Sequence, residues 1–222
     1  MVRVDKHYLP PTALIPNSPF PLLHYKNVLS EEDRKPENIH ELTAKNGWKT
    51  QWIFRYAPTQ DSHYHSQAHE CMAVLTGTAT IRFGVADTSP DPELNTKGPA
   101  REDGGVEVFA QAGDVFILPA GTAHKTMSTT EGSTFKLLTP GGGHGIAEDH
   151  GSAREELKKI ELSGYTMMGC YPVGQNWDFF VGGENKGEYE KVWSVPKPKA
   201  DPILGSSREG LVGQWKESKA KL

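Results

Sequence analysis

The 222-residue sequence predicts an all-β, turn-rich fold, and three observations lead there. Glycine and proline are plentiful (23 and 16 residues), so turns recur throughout the chain. Between the turns lie short runs rich in β-branched and aromatic residues, the composition of strands. Helical periodicity shows in only two short places. The length suits one domain, able to bury a sizeable core without disulfides or a structural metal. A formal net charge of −4 excludes the clustered cations of a polyanion binder, so no nucleic-acid partner is expected. No apolar run reaches membrane-spanning length, and the N-terminus lacks the layout of a signal peptide. Cys71 and Cys170 are too few for a disulfide framework. A cytoplasmic, reducing location with two inert, buried thiols is therefore expected.

The elements follow in order. Residues 1–47 read as an N-terminal arm and a helix. The proline-punctuated stretch LPPTALIPNSPFPLLHY cannot be helical. Its many apolar residues point to an extended arm packed on the domain or on a neighbouring subunit. Residues 36–46 read as a helix, with Pro36 in its first turn and Asn46-Gly47 as its stop. Residues 48–140 read as the strand-rich core. WKTQWIFRYAP looks like a strand ended by Pro58. Residues 71–75 and 78–83 are two strands joined around Thr76-Gly77, which suggests a hairpin. Residues 86–105 form a polar surface loop, and strands resume at 106–110, 115–118 and 135–138. Residues 141–222 comprise a glycine-rich excursion, a short helix over 153–160, a closing strand at 165–171 and a loop-like tail. No internal repeat and no second domain is evident.

Two segments carry the chemistry. HYHSQAHECMAVLTG sets His63 and His65 two apart, then Glu70 after four spacers and Gly77 after six more. GDVFILPAGTAH runs from Gly113 through Pro119-x-Gly121 to His124. In an extended segment alternate side chains share one face, with Cα atoms roughly 6.5–7 Å apart, so two imidazoles can reach one ion. Glu70 opens the next strand and adds an anionic oxygen, and the Pro-x-Gly turn delivers His124. Three imidazoles and a carboxylate suit one divalent transition metal ion (Fe, Mn, Ni, Zn or Cu) and suit Ca or Mg poorly. Four such ligands on an octahedral ion leave two positions open, the mark of a catalytic site. His69, directly before Glu70, could compete for the ion. The spacing back from Gly77 favours Glu70, and strand alternation points His69 to the other face.

These two segments resemble the paired motifs of the cupin superfamily, which implies a double-stranded β-helix, or jelly-roll barrel, with a few short peripheral helices. The likeness reaches most closely to one subgroup, the YjlB-like proteins, through IPNSPFPLLHY, NGWKTQWIF, HYHSQAHE, GDVFILPAGTAH and GCYPVGQNWD. The tail around Asp201-Pro202 and Gly205 also fits. The resemblance implies a single cupin domain over residues 1–222, with His63, His65, Glu70 and His124 as metal ligands. Ala57 stands where the first motif usually has glycine, and Ser128 where an asparagine often follows the second. Neither position is a ligand. The loop over residues 86–105 lengthens the spacer between the motifs.

The other candidates read blandly. His144 and His150 belong to an exposed glycine-rich loop, whose glycines do not form a phosphate loop. Met72, Val74, Phe83 and Met127 read as core or, where they share a face with the ligands, as pocket lining. Trp52, Phe54 and Tyr56 are either core or pocket wall, and Tyr171, Pro172, Trp177 and Asp178 read as packing, with a reach to the cavity mouth as the alternative. The function expected is a small metal-dependent enzyme for a small oxygenated substrate, acting as an oxygenase or as a Lewis-acid isomerase, decarboxylase or lyase. The alternative is a non-catalytic module that binds a small ligand or serves as a structural dimer. A homodimer is expected from the apolar arm and the open barrel edges.

Overall fold

Strand pairing sorts the chain into two antiparallel sheets in the computed structural model, which describes residues 2–130, 132–146 and 150–216. The elements run β1 (Val4–His7), β2 (Leu22–Tyr25), α1 (Pro36–Lys45), β3 (Trp48–Tyr56), β4 (Glu70–Thr76) and β5 (Thr78–Phe83). Then come α2 (Pro92–Thr96), β6 (Val106–Gln111), β7 (Val115–Leu118), β8 (His124–Thr129) and β9 (Lys136–Leu137). The chain ends with α3 (His150–Lys158), β10 (Tyr165–Pro172), α4 (Tyr189–Trp193) and α5 (Leu211–Gln214). The large sheet is ordered β1-β2-β7-β4-β10-β3-β9, and the small one β6-β5-β8. Their facing sides make a jelly-roll barrel, as the resemblance implies.

The hairpin expected at Thr76-Gly77 does not form. β4 pairs with β7 and β10 in the large sheet, whereas β5 pairs with β6 and β8 in the small one. One residue between the strands is shorter than the two-residue loop a tight hairpin needs. Gly77 instead turns the chain across from sheet to sheet with φ +73°, and a Cβ there would lie 2.3 Å from the Gly164 carbonyl oxygen.

β4 is buried along almost its whole length because both of its faces are covered. Alternation sends Met72 and Val74 inward, among Ile81, Phe83, Val108 and Phe116. It sends Cys71, Ala73 and Leu75 outward, onto a second core with Ile117 and Met168. That outer core is roofed by Ile39 of α1, Leu157 of α3, and Leu211 and Trp215 of the C-terminal tail. The helices α1, α3 and α5 therefore cover the large sheet's outer face. Both cysteines are free and buried.

The N-terminal arm packs on its own domain: β1 and β2 extend the large sheet, and Ile15 is fully buried beside Tyr64, Ala86 and Ala123. The expected loop over residues 86–105 contains α2, signalled by Asp91, whose side chain caps the Glu93 and Leu94 N–H groups, and by Pro92. The buried Arg82 guanidinium donates to the Asn95 and Thr96 carbonyls near the end of α2. Parts of the glycine-rich excursion (residues 147–149) and the side chain of His150 lie outside the described residues. No helix among the described residues is long and apolar enough to cross a membrane.

The tail is tied down by Asp201. Its Oδ2 accepts from the Tyr25 hydroxyl at 2.5 Å and the Leu211 N–H at 2.8 Å, and its Oδ1 from the Ile203 and Leu204 N–H groups at 2.9 Å. Asp201→Ala strands four buried or half-buried donors, so it is expected to destabilise the fold by roughly 3–5 kcal/mol. Urea denaturation measures this, and a loss under 1 kcal/mol would mean the tail is held by its apolar contacts alone.

Candidate metal centre

Three imidazoles converge between the sheets. His63 and His65 lie on an extended stretch in which Tyr64, fully buried, points away into the cluster around Ile15. His63 forms a β-bridge with His124, the first residue of β8, through N–H···O bonds of 3.2 and 2.9 Å. The turn before β8 behaves as its sequence requires. Thr122 N–H returns to the Pro119 carbonyl at 3.2 Å, and Gly121 takes φ +85°, the positive angle a type II turn needs at that position. One ring nitrogen from each of His63, His65 and His124 lies within 4.8 Å of the others. Nitrogens sharing one ion at about 2.1 Å sit roughly 3–4 Å apart, so a small contraction would seat a metal.

The tautomers are set by the backbone. The Nδ1 of His63 lies 3.1 Å from the Asp61 carbonyl, that of His124 3.3 Å from the Thr122 carbonyl, and that of His65 against the Asp178 carbonyl. A carbonyl can only accept, so each Nδ1 carries a proton, and Nε2 is the nitrogen a metal would take.

Glu70 lies beneath them at 1% exposure. Its Oε1 is 3.4 Å from His65 Nε2 and its Oε2 3.4 Å from His124 Nε2. Oε1 also accepts from the Tyr171 hydroxyl, while Oε2 is buried without a hydrogen-bond partner. An orphaned carboxylate oxygen beside three imidazoles is a donor set that fits a transition metal ion. Burial works to raise the Glu70 pKa. The His65 and His124 charges and the hydrogen bonds from His65 and Tyr171 outweigh it and hold the carboxyl at about 2. Burial, reinforced by the neighbouring rings, pushes His63 well below the usual histidine value and lowers His124. Burial opposes a charge on His65 too, but Glu70 more than compensates and raises it.

Tyr171 and Trp52 were not distinguishable from packing in the sequence. The Tyr171 hydroxyl accepts from Trp52 Nε1 at 2.9 Å and lies 3.1 Å from His65 Nε2. Gly169 makes that possible: a Cβ there would fall 2.0 Å from the Trp52 indole. Trp177 and Asp178 also reach the site. Asp178 holds the Ser66 N–H at 2.6 Å as well as His65, and Trp177 stacks against the His144 ring at 5.1 Å. Behind the ligand strands, the buried Lys125 ammonium sits 2.9 Å from Asp87, whose carboxyl also takes the Ser62 N–H at 3.0 Å. That pair ties the His63 and His124 strands together.

A cavity of 280 Å³ opens over the imidazoles. Trp52, Phe54 and Tyr56, alternating along β3, form one wall, and Trp177 and Phe179 the other. The three β3 aromatics are thus pocket wall, whereas Met72, Val74 and Phe83 are core.

His69 faces away from the cavity. Its Nδ1 accepts from the Ala120 N–H at 2.9 Å, and its ring packs 4.9 Å from that of Trp215. Burial lowers its pKa to about 4. The unfolded chain therefore takes up the proton near the ordinary 6.5, well before the fold does. The stability this neutral ring contributes is complete above pH 6.5 and drains away as pH falls towards 4. Over that window His69→Gln is expected to flatten the pH dependence of unfolding by roughly 2–3 kcal/mol, read from urea midpoints. An unchanged slope would place the proton uptake elsewhere.

Residues 61–141 match the family model described as Cupin. The chain is 26% identical over 216 residues to the uncharacterized protein YjlB of Bacillus subtilis (strain 168), covering 96% of this chain and 97% of that one. Among solved structures it aligns with the vicilin of Solanum melongena at 12% identity and a TM-score of 0.27, covering 72% of this chain and 25% of that one. It aligns with the oxalate decarboxylase of Lactobacillus farciminis at 13% identity and a TM-score of 0.30, covering 66% and 35%. The chain spans about a quarter to a third of those two proteins, and likenesses this slight assign neither activity nor ligand. Both histidine segments lie inside the stretch that matches the cupin model, and the likeness to YjlB runs along nearly the full length of both chains.

Proposed function

We propose that this protein is a metal-dependent cupin enzyme acting on a small oxygenated organic substrate. His63, His65, His124 and Glu70 would hold one divalent transition metal ion. The observation that carries this reading is the shared orientation of the three rings, each with Nδ1 on a backbone carbonyl so that Nε2 is the nitrogen left for an ion, above a carboxyl oxygen without a hydrogen-bond partner. When bound, the ion would supply Lewis acidity or, if redox-active, a site for dioxygen chemistry.

The chain's own residues would do the rest. The carbonyls of Asp61, Thr122 and Asp178 fix the ring planes, so no reorientation is needed on loading. Tyr171 orients Glu70 by donating to Oε1, which directs Oε2 to the imidazoles. The aromatic walls exclude water from everything but the cavity mouth. A homodimer and a cytoplasmic location remain part of the proposal.

Elemental analysis of purified protein is expected to find close to one transition metal ion per chain. His63→Ala and His124→Ala should each lower the content at least tenfold, and Tyr171→Phe should weaken retention against a chelator by 10–100-fold. Metal content that none of these changes moves would remove the ligand assignment. Metal that is retained while no oxygenated substrate turns over would favour the non-catalytic binding module.

A further inference from the structure

The walls of the cavity narrow the substrate class, an inference that rests on the metal-centre reading for the cavity's floor but not for its walls. Charged side chains at the cavity are Glu70 at the floor and Asp61 at the mouth; among the described residues no lysine or arginine lines it. A carboxylate or phosphate reaching beyond the floor would lose its hydration and find no cation, a cost of several kcal/mol. Aromatic rings supply most of the remaining surface. Trp52, Phe54 and Tyr56 are mutually in contact at 5.4–6.0 Å, and Phe135 continues that wall outward, stacked on Phe54 at 5.4 Å. On the opposite side Phe179 stacks on His63 at 4.1 Å, and Trp177 stands 5.8 Å from His65.

Size sets the second limit. An apolar cavity of about 150 Å³ accepts benzene. A volume of 280 Å³ therefore takes one substituted ring and leaves no room for a second large group. Among the described residues that line it, the buried polar atom without a hydrogen-bond partner is at the floor, Glu70 Oε2, beside the clustered imidazoles.

We infer that the site takes a single flat ring that is uncharged away from the floor and carries its oxygen substituents, phenolic or enolic, on one edge, and that it discriminates against small di-acids. The ring lies between the β3 wall and the Trp177–Phe179 wall, with its oxygens directed at the histidines. Phe135 and Phe179, 62% and 50% exposed, form the lip through which it enters.

Calorimetric titration with catechol and with malonate, on zinc-loaded and on chelator-stripped protein, tests this. Catechol is expected to bind the zinc-loaded protein at least tenfold more tightly than malonate. The stripped protein should keep the preference at lower affinity, because the walls do not depend on the ion. Phe135→Arg, at a ring exposed enough for the fold to tolerate the change, should shrink the preference about tenfold by giving malonate a cation. If zinc fails to raise the affinity for catechol while the preference persists, the metal reading falls and the ring selectivity stands. Malonate binding as tightly as catechol to both forms, or a preference that Phe135→Arg leaves untouched, would overturn the inference.

Discussion

Glu70 is a carboxyl held almost out of contact with water, and the arrangement around it answers to the cost of keeping it there. One oxygen takes the Tyr171 hydroxyl, and both lie near imidazole nitrogens. Tyr171 is in turn fixed by the Trp52 indole, which lies flat only because residue 169 has no side chain. Each imidazole is braced from behind by a backbone carbonyl. The site is thus a stack of dependencies running from a glycine on β10 to three imidazoles in a cavity. A change at any level alters the orientation of the level above.

The large sheet supplies the rigidity this needs. Because β4 is covered on both faces, Glu70 starts a strand that has neighbours in every direction. The outer cover comes from segments distant in sequence: the helix after the arm, the helix after the glycine-rich excursion, and the tail anchored by Asp201. His69 joins the two faces, with its Nδ1 on the turn that delivers His124 and its ring against Trp215. Outer cover and inner site are one mechanical unit.

Much of this was legible in the sequence, for physical reasons that can be named. The spacing of His63, His65 and Glu70 and the Pro119-x-Gly121 turn are local signals, and they place the same residues together in space. The strand from Trp48 and the helix from Pro36 carry their own start and stop chemistry. The Thr76-Gly77 connection misled because a tight glycine turn between two apolar runs looks the same whether the strands pair with each other or part into separate sheets. Strand pairing is decided by partners more than twenty residues away. Tyr171, Trp177 and Asp178 were hidden for the same reason: their roles arise from register and from a loop returning to the barrel mouth, which no local pattern encodes. The strands β1 and β2 were obscured by prolines that belong to the segment between them.

The segment between the two histidine motifs leaves the barrel and rejoins it at one pairing, Asp87 opposite Arg101. With its ends already together, its length costs little, since each doubling of a flexible loop adds only about 0.6 kcal/mol of closure entropy. The cost of closure therefore sets little limit on its length, although α2 is tied to the barrel through the buried Arg82. Yet its first residue is also the partner of the buried Lys125 and of the Ser62 N–H, next to two of the histidines. The excursion thereby acts as a keystone of the barrel: its outer tip bears little on the site, but the point where it is mortised into the wall does.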